Sequence, residues 1–145
     1  MILGVKIRTA LLQVVFLGVL AGCGAMPFNK TPAELRSQQE AYAGKKTFDL
    51  PFDVFLARAY RATTECADVP TFLVSPDKSS ATALIQMPGL SSVATILVAD
   101  AKPAGNRTEI DVWLYFNNKN WQSRVDGYLA KVTNPDSCAV SSPKK

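Results

Sequence analysis

The sequence predicts an α+β fold, a two-layer sandwich in which two helices cover one face of an antiparallel sheet of three to four strands. Apolar residues recur at helical spacing over residues 52–66 and again over residues 121–132. The stretch between them, residues 71–116, contains short β-rich runs separated by turn signals. Because each helix has one apolar stripe and only one sheet face is consistently apolar, both helices are expected on that face.

The chain divides into four predicted segments. They are a signal peptide over residues 1–22, a tether with a short polar helix over residues 23–47, an α+β domain over residues 48–138, and a disordered tail over residues 139–145. A length of 145 residues leaves room for one such domain, which disfavours an enzyme built from separate cofactor and substrate domains.

The first 22 residues have the organisation of a cleaved leader. Lys6 and Arg8 precede an uncharged apolar run that extends to Cys23. A helix over residues 9–22 spans only about 21 Å, whereas the hydrocarbon core of a bilayer is about 30 Å thick. A signal peptide therefore accounts for the run better than a permanent membrane span.

The end of the leader resembles the lipobox of bacterial lipoprotein precursors. Residues 20–23 read Leu-Ala-Gly-Cys, and in that family small residues precede a cysteine that is acylated and becomes the mature N-terminus. The resemblance implies lipidation of Cys23 and, because Gly24 is not Asp, sorting to the outer membrane on its periplasmic side. The alternative is a general secretory signal cut near Ala21 or Ala25, which leaves Cys23 as an odd thiol.

The charge that remains after cleavage is small. Lys6 and Arg8 leave with the signal peptide, which lowers the net charge from +4 to +2. The remaining Lys and Arg residues are scattered and form no stripe that could follow a phosphate backbone. Nucleic acid is therefore not an expected partner.

A short helix is predicted within the tether, over residues 32–43. Thr31 and Glu34 fit a capping box with a proline at the first helical position, and Gly44 fits a C-terminal stop. The apolar face of this segment is thin. The sequence leaves open whether the helix docks on the domain or acts as a mobile spacer.

The first long helix is predicted to begin after Pro51. Its apolar stripe consists of Phe52, Phe55, Leu56, Ala59, Tyr60, Thr63 and Cys66. This spacing is typical of a helix that packs one face against a core, whereas Arg58, Arg61 and Glu65 fall between the stripe positions.

Short strands are predicted to follow. The runs are residues 71–75, 81–87, 93–99 and 107–116, with turns at residues 88–89 and 102–106. In the last run, Thr108, Ile110, Val112, Leu114 and Phe116 alternate with Arg107, Glu109, Asp111, Trp113 and Tyr115. The alternation points the first set toward the helices and the second set away from them.

The second long helix is predicted after the polar residues 117–120, which can supply its N-cap. Its stripe consists of Trp121, Val125, Tyr128, Leu129 and Val132. Gly127 within this helix costs about 1 kcal/mol relative to alanine, and residues 134–135, Asn-Pro, are expected to end it.

Cysteine usage predicts one disulfide bond. If Cys23 carries lipid, Cys66 and Cys138 remain as an even pair in an oxidising compartment. Cys66 lies at the end of the first long helix and Cys138 just past the end of the second, and the predicted sandwich brings these two ends together. The alternative is a pair of buried or separated thiols.

The composition disfavours catalysis and metal binding. The chain has no His, and the Ser-Lys combination at residues 78–80 lies in a predicted turn, where the lysine is solvated and protonated. Glu109 and Asp111 share a strand face, but two oxygen donors fall short of the roughly six to eight that calcium takes. We expect no catalytic residues, no metal ion and no cofactor other than the covalent lipid at Cys23.

The outward face of the last strand is the candidate partner-binding face. Its residues are Arg107, Glu109, Asp111, Trp113 and Tyr115. Two aromatic side chains on the side away from the helices favour contact with an envelope protein. The alternative is that Trp113 and Tyr115 are ordinary strand residues or are covered by the segment before Phe48.

Leader, tether and domain together resemble small proteobacterial envelope lipoproteins. The likeness to the β-barrel assembly lipoprotein BamC and the lipopolysaccharide transport lipoprotein LptE is one of general architecture. We expect an outer-membrane lipoprotein that faces the periplasm and acts as a non-catalytic interaction or scaffold module. The alternative is a lipoprotein that binds or carries a small ligand, a lipid or a glycan, which requires an apolar cavity of roughly 300 Å³ or more.

Overall fold

The computed structural model describes residues 30–66, 70–88, 93–134 and 136–138. The lipobox, Cys23 and the predicted tail over residues 139–145 lie outside the described residues. The elements, in chain order, are α1 (Pro32–Ser37), a 3₁₀ turn (Gln39–Ala41), β1 (Tyr42–Phe48), α2 (Phe52–Glu65), β2 (Phe72–Val74), β3 (Ala81–Pro88), β4 (Val93–Ala104), β5 (Arg107–Leu114) and α3 (Lys119–Thr133).

The predicted α+β class is confirmed. Within the described residues, the sheet has five antiparallel strands in the order β1-β5-β4-β3-β2, so the prediction of three to four strands is too low. The described helices are the two long ones predicted for the domain and a third, short one, α1, within the residues predicted as a tether. The long helices α2 and α3 cover one sheet face, as expected, while α1 lies on the other face. In this part of the chain no helix is long and apolar enough to cross a membrane.

The core lies between the sheet and the two long helices. It contains Phe55, Ala59 and Ala62 of α2, Val125, Leu129 and Val132 of α3, and Ile110, Val112 and Leu114 of β5. The alternation predicted for the last strand is confirmed as far as Leu114. Phe116 lies in the turn after the strand and is exposed, because the ladder has already ended there. Tyr60, predicted in the stripe of α2, is also exposed, since eight residues after Phe52 place it about 80° further around the helix.

The fifth strand, β1, comes from residues predicted to belong to a helix and a tether. The predicted helix over residues 32–43 ends at Ser37, and Tyr42–Phe48 pairs antiparallel with β5. Gly44 has a φ of +111° and lies at a register shift in this ladder. A glycine with positive φ suits a β-bulge as well as a helix C-terminus, which is why its sequence context was misleading.

The described fold consequently begins before the predicted boundary at Phe48. The capping box is present, with Thr31 and Glu34 each accepting a hydrogen bond from the other's backbone N–H. Leu35 of α1 is fully buried and packs in a second cluster with Val98 of β4. Trp113, on β5, packs against the same cluster. Of the two possibilities that the sequence left open for this helix, docking on the domain is the one observed.

A bidentate ion pair also holds α1 to the sheet. The guanidinium of Arg36 donates to both carboxylate oxygens of Asp100 at 2.6 and 2.7 Å. Thr82 donates a further hydrogen bond to Asp100 at 2.7 Å. Burial tends to raise the pKa of Asp100, but the hydrogen bonds from Arg36 and Thr82 outweigh it, and the pKa is lowered. The carboxylate therefore stays ionised and keeps its partners at neutral pH.

A disulfide bond joins the ends of the two long helices. Cys66 caps α2, and Cys138 follows α3 at a sequence separation of 72 residues. Their Cα atoms are 5.2 Å apart, within the range of disulfide geometry. The structure thus brings together the two cysteines that the sequence analysis paired.

Candidate functional site

The charged end of the predicted partner-binding face is engaged by the protein's own residues. Glu109 accepts from Lys45 at 2.9 Å, and Asp111 accepts from the hydroxyl of Tyr42 at 2.8 Å. Lys102 lies 3.6 Å from Asp111. The hydrogen bond to Asp111 raises the pKa of Tyr42, and the one to Glu109 raises the pKa of Lys45. Both carboxylates therefore act as cross-strand partners between β1, β5 and β4.

The remaining members of this face differ in exposure. Arg107 is exposed and pairs with Asp49 at 2.8 Å. Trp113 is half-buried, with its ring centroid 5.5 Å from that of Tyr42, and it packs against the α1 cluster. Tyr115 is half-buried as well, with the ammonium of Lys30 5.0 Å from its ring centroid. The five predicted residues do share one face, and the segment before Phe48 covers its aromatic end.

The Ser-Lys segment forms a turn between β2 and β3. Asp77 accepts hydrogen bonds from Ser75 and from the backbone and side chain of Ser79. These bonds lower the pKa of Asp77 to about 2. Lys78 has a φ of +56°, the left-handed conformation common in tight turns. Among the described residues, no group of three His, Cys, Asp or Glu side chains is placed to hold a metal ion.

A groove between α3 and the sheet is the feature that the sequence analysis missed. Its volume is about 730 Å³, and it opens to solvent. The apolar part of its lining consists of Pro70, Leu84, Ile85, Leu97, Trp121, Val125 and Tyr128. The polar part consists of Gln86, Arg124 and Lys131. Among the described residues that line the groove, none is acidic.

The groove exists because two elements stop short of filling it. In the described sheet, β2 pairs only with residues 81–83 of β3, so the strand does not extend alongside Ile85 and Gln86. Gly127 lines the groove on the helix side, and an added Cβ would meet no atom within 4 Å there. A short edge strand and a missing side chain thus leave an open volume beside a packed core.

The helix face along the groove combines aromatic and cationic groups. Arg124, Gly127 and Lys131 follow one another at spacings of three and four residues, so they share one side of α3. The guanidinium of Arg124 lies 5.1 Å from the ring centroid of Trp121. Arg124 and Lys131 therefore lie on either side of Gly127 along the groove.

Tyr128, in the wall of the groove, is held by a hydrogen bond and by a ring contact. The hydroxyl of Tyr128 donates to the backbone carbonyl of Pro70 at 3.1 Å. Its ring stacks on Phe72 with centroids 6.1 Å apart. Burial raises the pKa of Tyr128, so this hydroxyl remains protonated and serves as a donor. The groove wall is thus held in place without a ligand.

The comparisons with known proteins add no relative. The chain matches no protein-family model, and no curated protein or solved structure was found to be similar to it. The likeness to envelope lipoproteins and the lipobox assignment therefore stay predictions.

Proposed function

We propose that the protein is a periplasm-facing outer-membrane lipoprotein, anchored through Cys23, that binds an amphipathic anion in the groove beside α3. It acts by binding rather than by catalysis. The observation that carries the proposal is the groove, whose volume of about 730 Å³ exceeds the roughly 300 Å³ at the lower end of ligand pockets. Of the two functions weighed from the sequence, this observation favours the ligand carrier.

The geometry of the opposite sheet face points the same way. An interaction module that uses this face would need an exposed patch around Trp113 and Tyr115. Both side chains are half-buried, and both pack against the cluster that contains Leu35. The carboxylates of the face are paired within the chain. Binding of an envelope protein there remains the second candidate function. The partner would have to displace α1 or bind at the charged end of the face, around Glu109 and Asp111.

The lining of the groove indicates the chemical class of the ligand. Aliphatic and aromatic side chains favour an acyl chain, and Arg124 favours a phosphate or a carboxylate over a neutral group. The proposed ligand is therefore a single acyl chain that carries one anionic group. A fatty acid and a lysophospholipid both have this chemistry.

The groove is tested with defined lipids at concentrations below their critical micelle concentrations. We expect lysophosphatidylglycerol or a long-chain fatty acid to change the fluorescence of Trp121, which lines the groove. An uncharged monoacylglycerol of equal chain length should bind about tenfold more weakly, because it makes no charge-assisted hydrogen bond. The first two lipids distinguish phosphate from carboxylate recognition. Equal binding of all three would contradict the anion proposal.

Two variants at one position provide a matched pair. Gly127→Leu should fill the groove and reduce lipid affinity by at least about tenfold, because the acyl chain loses apolar burial that stabilises the complex by a few kcal/mol. Gly127→Ala should leave binding unchanged and stabilise α3 by about 1 kcal/mol, because the added methyl group meets open space. If Gly127→Leu binds lipid as well as Gly127→Ala does, the groove is not the site.

A second pair of variants tests the cation in the groove. Arg124→Gln removes the guanidinium that lines the groove, and Arg107→Gln, which removes one from the other sheet face, is its control.

The anchor has its own test. Cys23→Ala should yield a precursor that does not incorporate labelled palmitate, because the acylated thiol is gone. Labelling is followed in growing cells by gel autoradiography. Incorporation that persists in the variant would remove the anchor from the proposal and leave the groove to be judged separately.

A further inference from the structure

The chain enters the domain at one defined end of the sheet. The backbone carbonyl of Lys30 accepts from the N–H of Thr95 at 3.2 Å, near the start of β4. The N–H of Tyr115, just past the end of β5, donates to the carbonyl of Ile96. The last residue of β3, Pro88, pairs with Val93. This end of the sheet therefore holds the ends of β3 and β5 and the start of β4.

The length of the preceding chain restricts how this end can be oriented. Cys23 precedes Lys30 by seven residues, and a chain of that length spans at most about 25 Å. A domain of roughly 100 residues has a radius of gyration of about 13 Å, which corresponds to a diameter of about 34 Å. If Cys23 is in the membrane, the opposite end of the domain cannot be the one that faces the bilayer.

The same end carries exposed apolar side chains. Met87, Val93 and Phe116 are 51%, 56% and 42% exposed. Met87 and Val93 lie on the neighbouring strands β3 and β4, where Met87 pairs with Ala94, and Phe116 lies in the turn after β5, directly after Tyr115. We call Met87, Val93 and Phe116 the entry surface. The same end contains Lys30, and also Glu40, whose backbone carbonyl accepts a hydrogen bond from the side chain of Asn117, so its charge is mixed.

We infer that the entry surface docks on the lipid bilayer that holds the anchor. The inference rests on the lipidation of Cys23 in the proposed function and adds an orientation to it. The side chains suit the interfacial region of a bilayer because they are apolar and exposed, and the tether keeps them within reach of it. The Trp121 end of the groove, at the start of α3, then opens beside the lipid from which a ligand would come.

The test is photolabelling of the full-length protein in vesicles. The lipidated protein is purified from membranes and reconstituted in phosphatidylethanolamine–phosphatidylglycerol vesicles, with a phospholipid that carries a diazirine near the glycerol. Mass spectrometry then locates the covalent adducts. We expect most of the label on peptides that contain Met87, Val93 and Phe116. Adducts on Ile85, which lines the groove, are counted separately because they report ligand binding.

Two triple variants provide the comparison, and near-ultraviolet circular dichroism checks that each is folded. Replacing Met87, Val93 and Phe116 with serine should remove most of the adducts at this end. The control replaces Val54, Tyr60 and Leu73 with serine, three exposed apolar residues outside the entry surface, and should leave the labelling unchanged. Equal labelling of both sets in the wild-type protein would overturn the docking inference.

The mass of the N-terminal peptide separates the two ways in which the inference can fail. Lipid on Cys23 together with labels away from the entry surface overturns the docking and leaves the proposed function standing. A Cys23 peptide without lipid removes the tether, and it overturns the docking together with the anchor.

Discussion

Replacing Cys66 and Cys138 together with alanine is expected to lower the free energy of unfolding by roughly 4 kcal/mol and the Tm by about 10–20 °C. The reason is the size of the loop, because the two cysteines are 72 residues apart in sequence. Without the cross-link, the unfolded chain regains the conformational freedom of this loop, which contains four of the five described strands and all of α3. Thermal unfolding followed by circular dichroism measures the shift.

The matched control for this prediction is the reduced wild-type protein. Both sulfur atoms are buried at the ends of α2 and α3, so the double alanine variant loses packing as well as the cross-link. Reduction breaks the bond and keeps the sulfur atoms in the core. We expect reduction to reproduce most of the loss in Tm. If the reduced protein melts at the temperature of the oxidised one, the bond does not stabilise the fold through the unfolded chain.

The elements that the sequence predicted well are those in which a local pattern and the tertiary contact agree. The apolar stripe of α3 and the alternation of β5 each mark the side of the element that packs on the core. Each pattern is complete within a dozen consecutive residues. Asn118 caps α3 through a hydrogen bond from the N–H of Trp121, as the polar run before the helix indicated. For these elements, residues that are close together in sequence are sufficient to predict the structure.

β1 could not be predicted in this way because its pairing is with a distant strand. Its sequence combines Gly44 with Lys45 and Lys46, and it has no clear alternation of apolar residues. It is held by a ladder to β5, whose paired residues are 60 to 71 positions away, and by the pairing of Lys45 and Lys46 with Glu109 and Asp126. Lysines on an edge strand also hinder pairing with another chain, which agrees with the position of β1 at the sheet edge.

The groove escaped the sequence analysis for a related reason. A cavity depends on which elements stop short, and the start of β2 at Phe72 and its pairing with only three residues of β3 are properties of the assembled sheet. Gly127 was the one local signal. Within a helix it costs stability, and its position in the groove wall gives that cost a structural reason.

Leu35→Ala is expected to lower the free energy of unfolding by about 3 kcal/mol and the Tm by about 10 °C or more, a large effect for a residue that the sequence places in a tether. Leu35 is fully buried against Val98 and Trp113, so its truncation leaves a cavity between α1 and the sheet. Leu73→Ala is the control, because that side chain is 62% exposed and should change stability by less than about 0.5 kcal/mol. Urea unfolding of both variants measures the difference. Equal stability of the two would mean that α1 contributes nothing to the domain, whereas the expected gap makes residues 32–41 part of the cooperative fold.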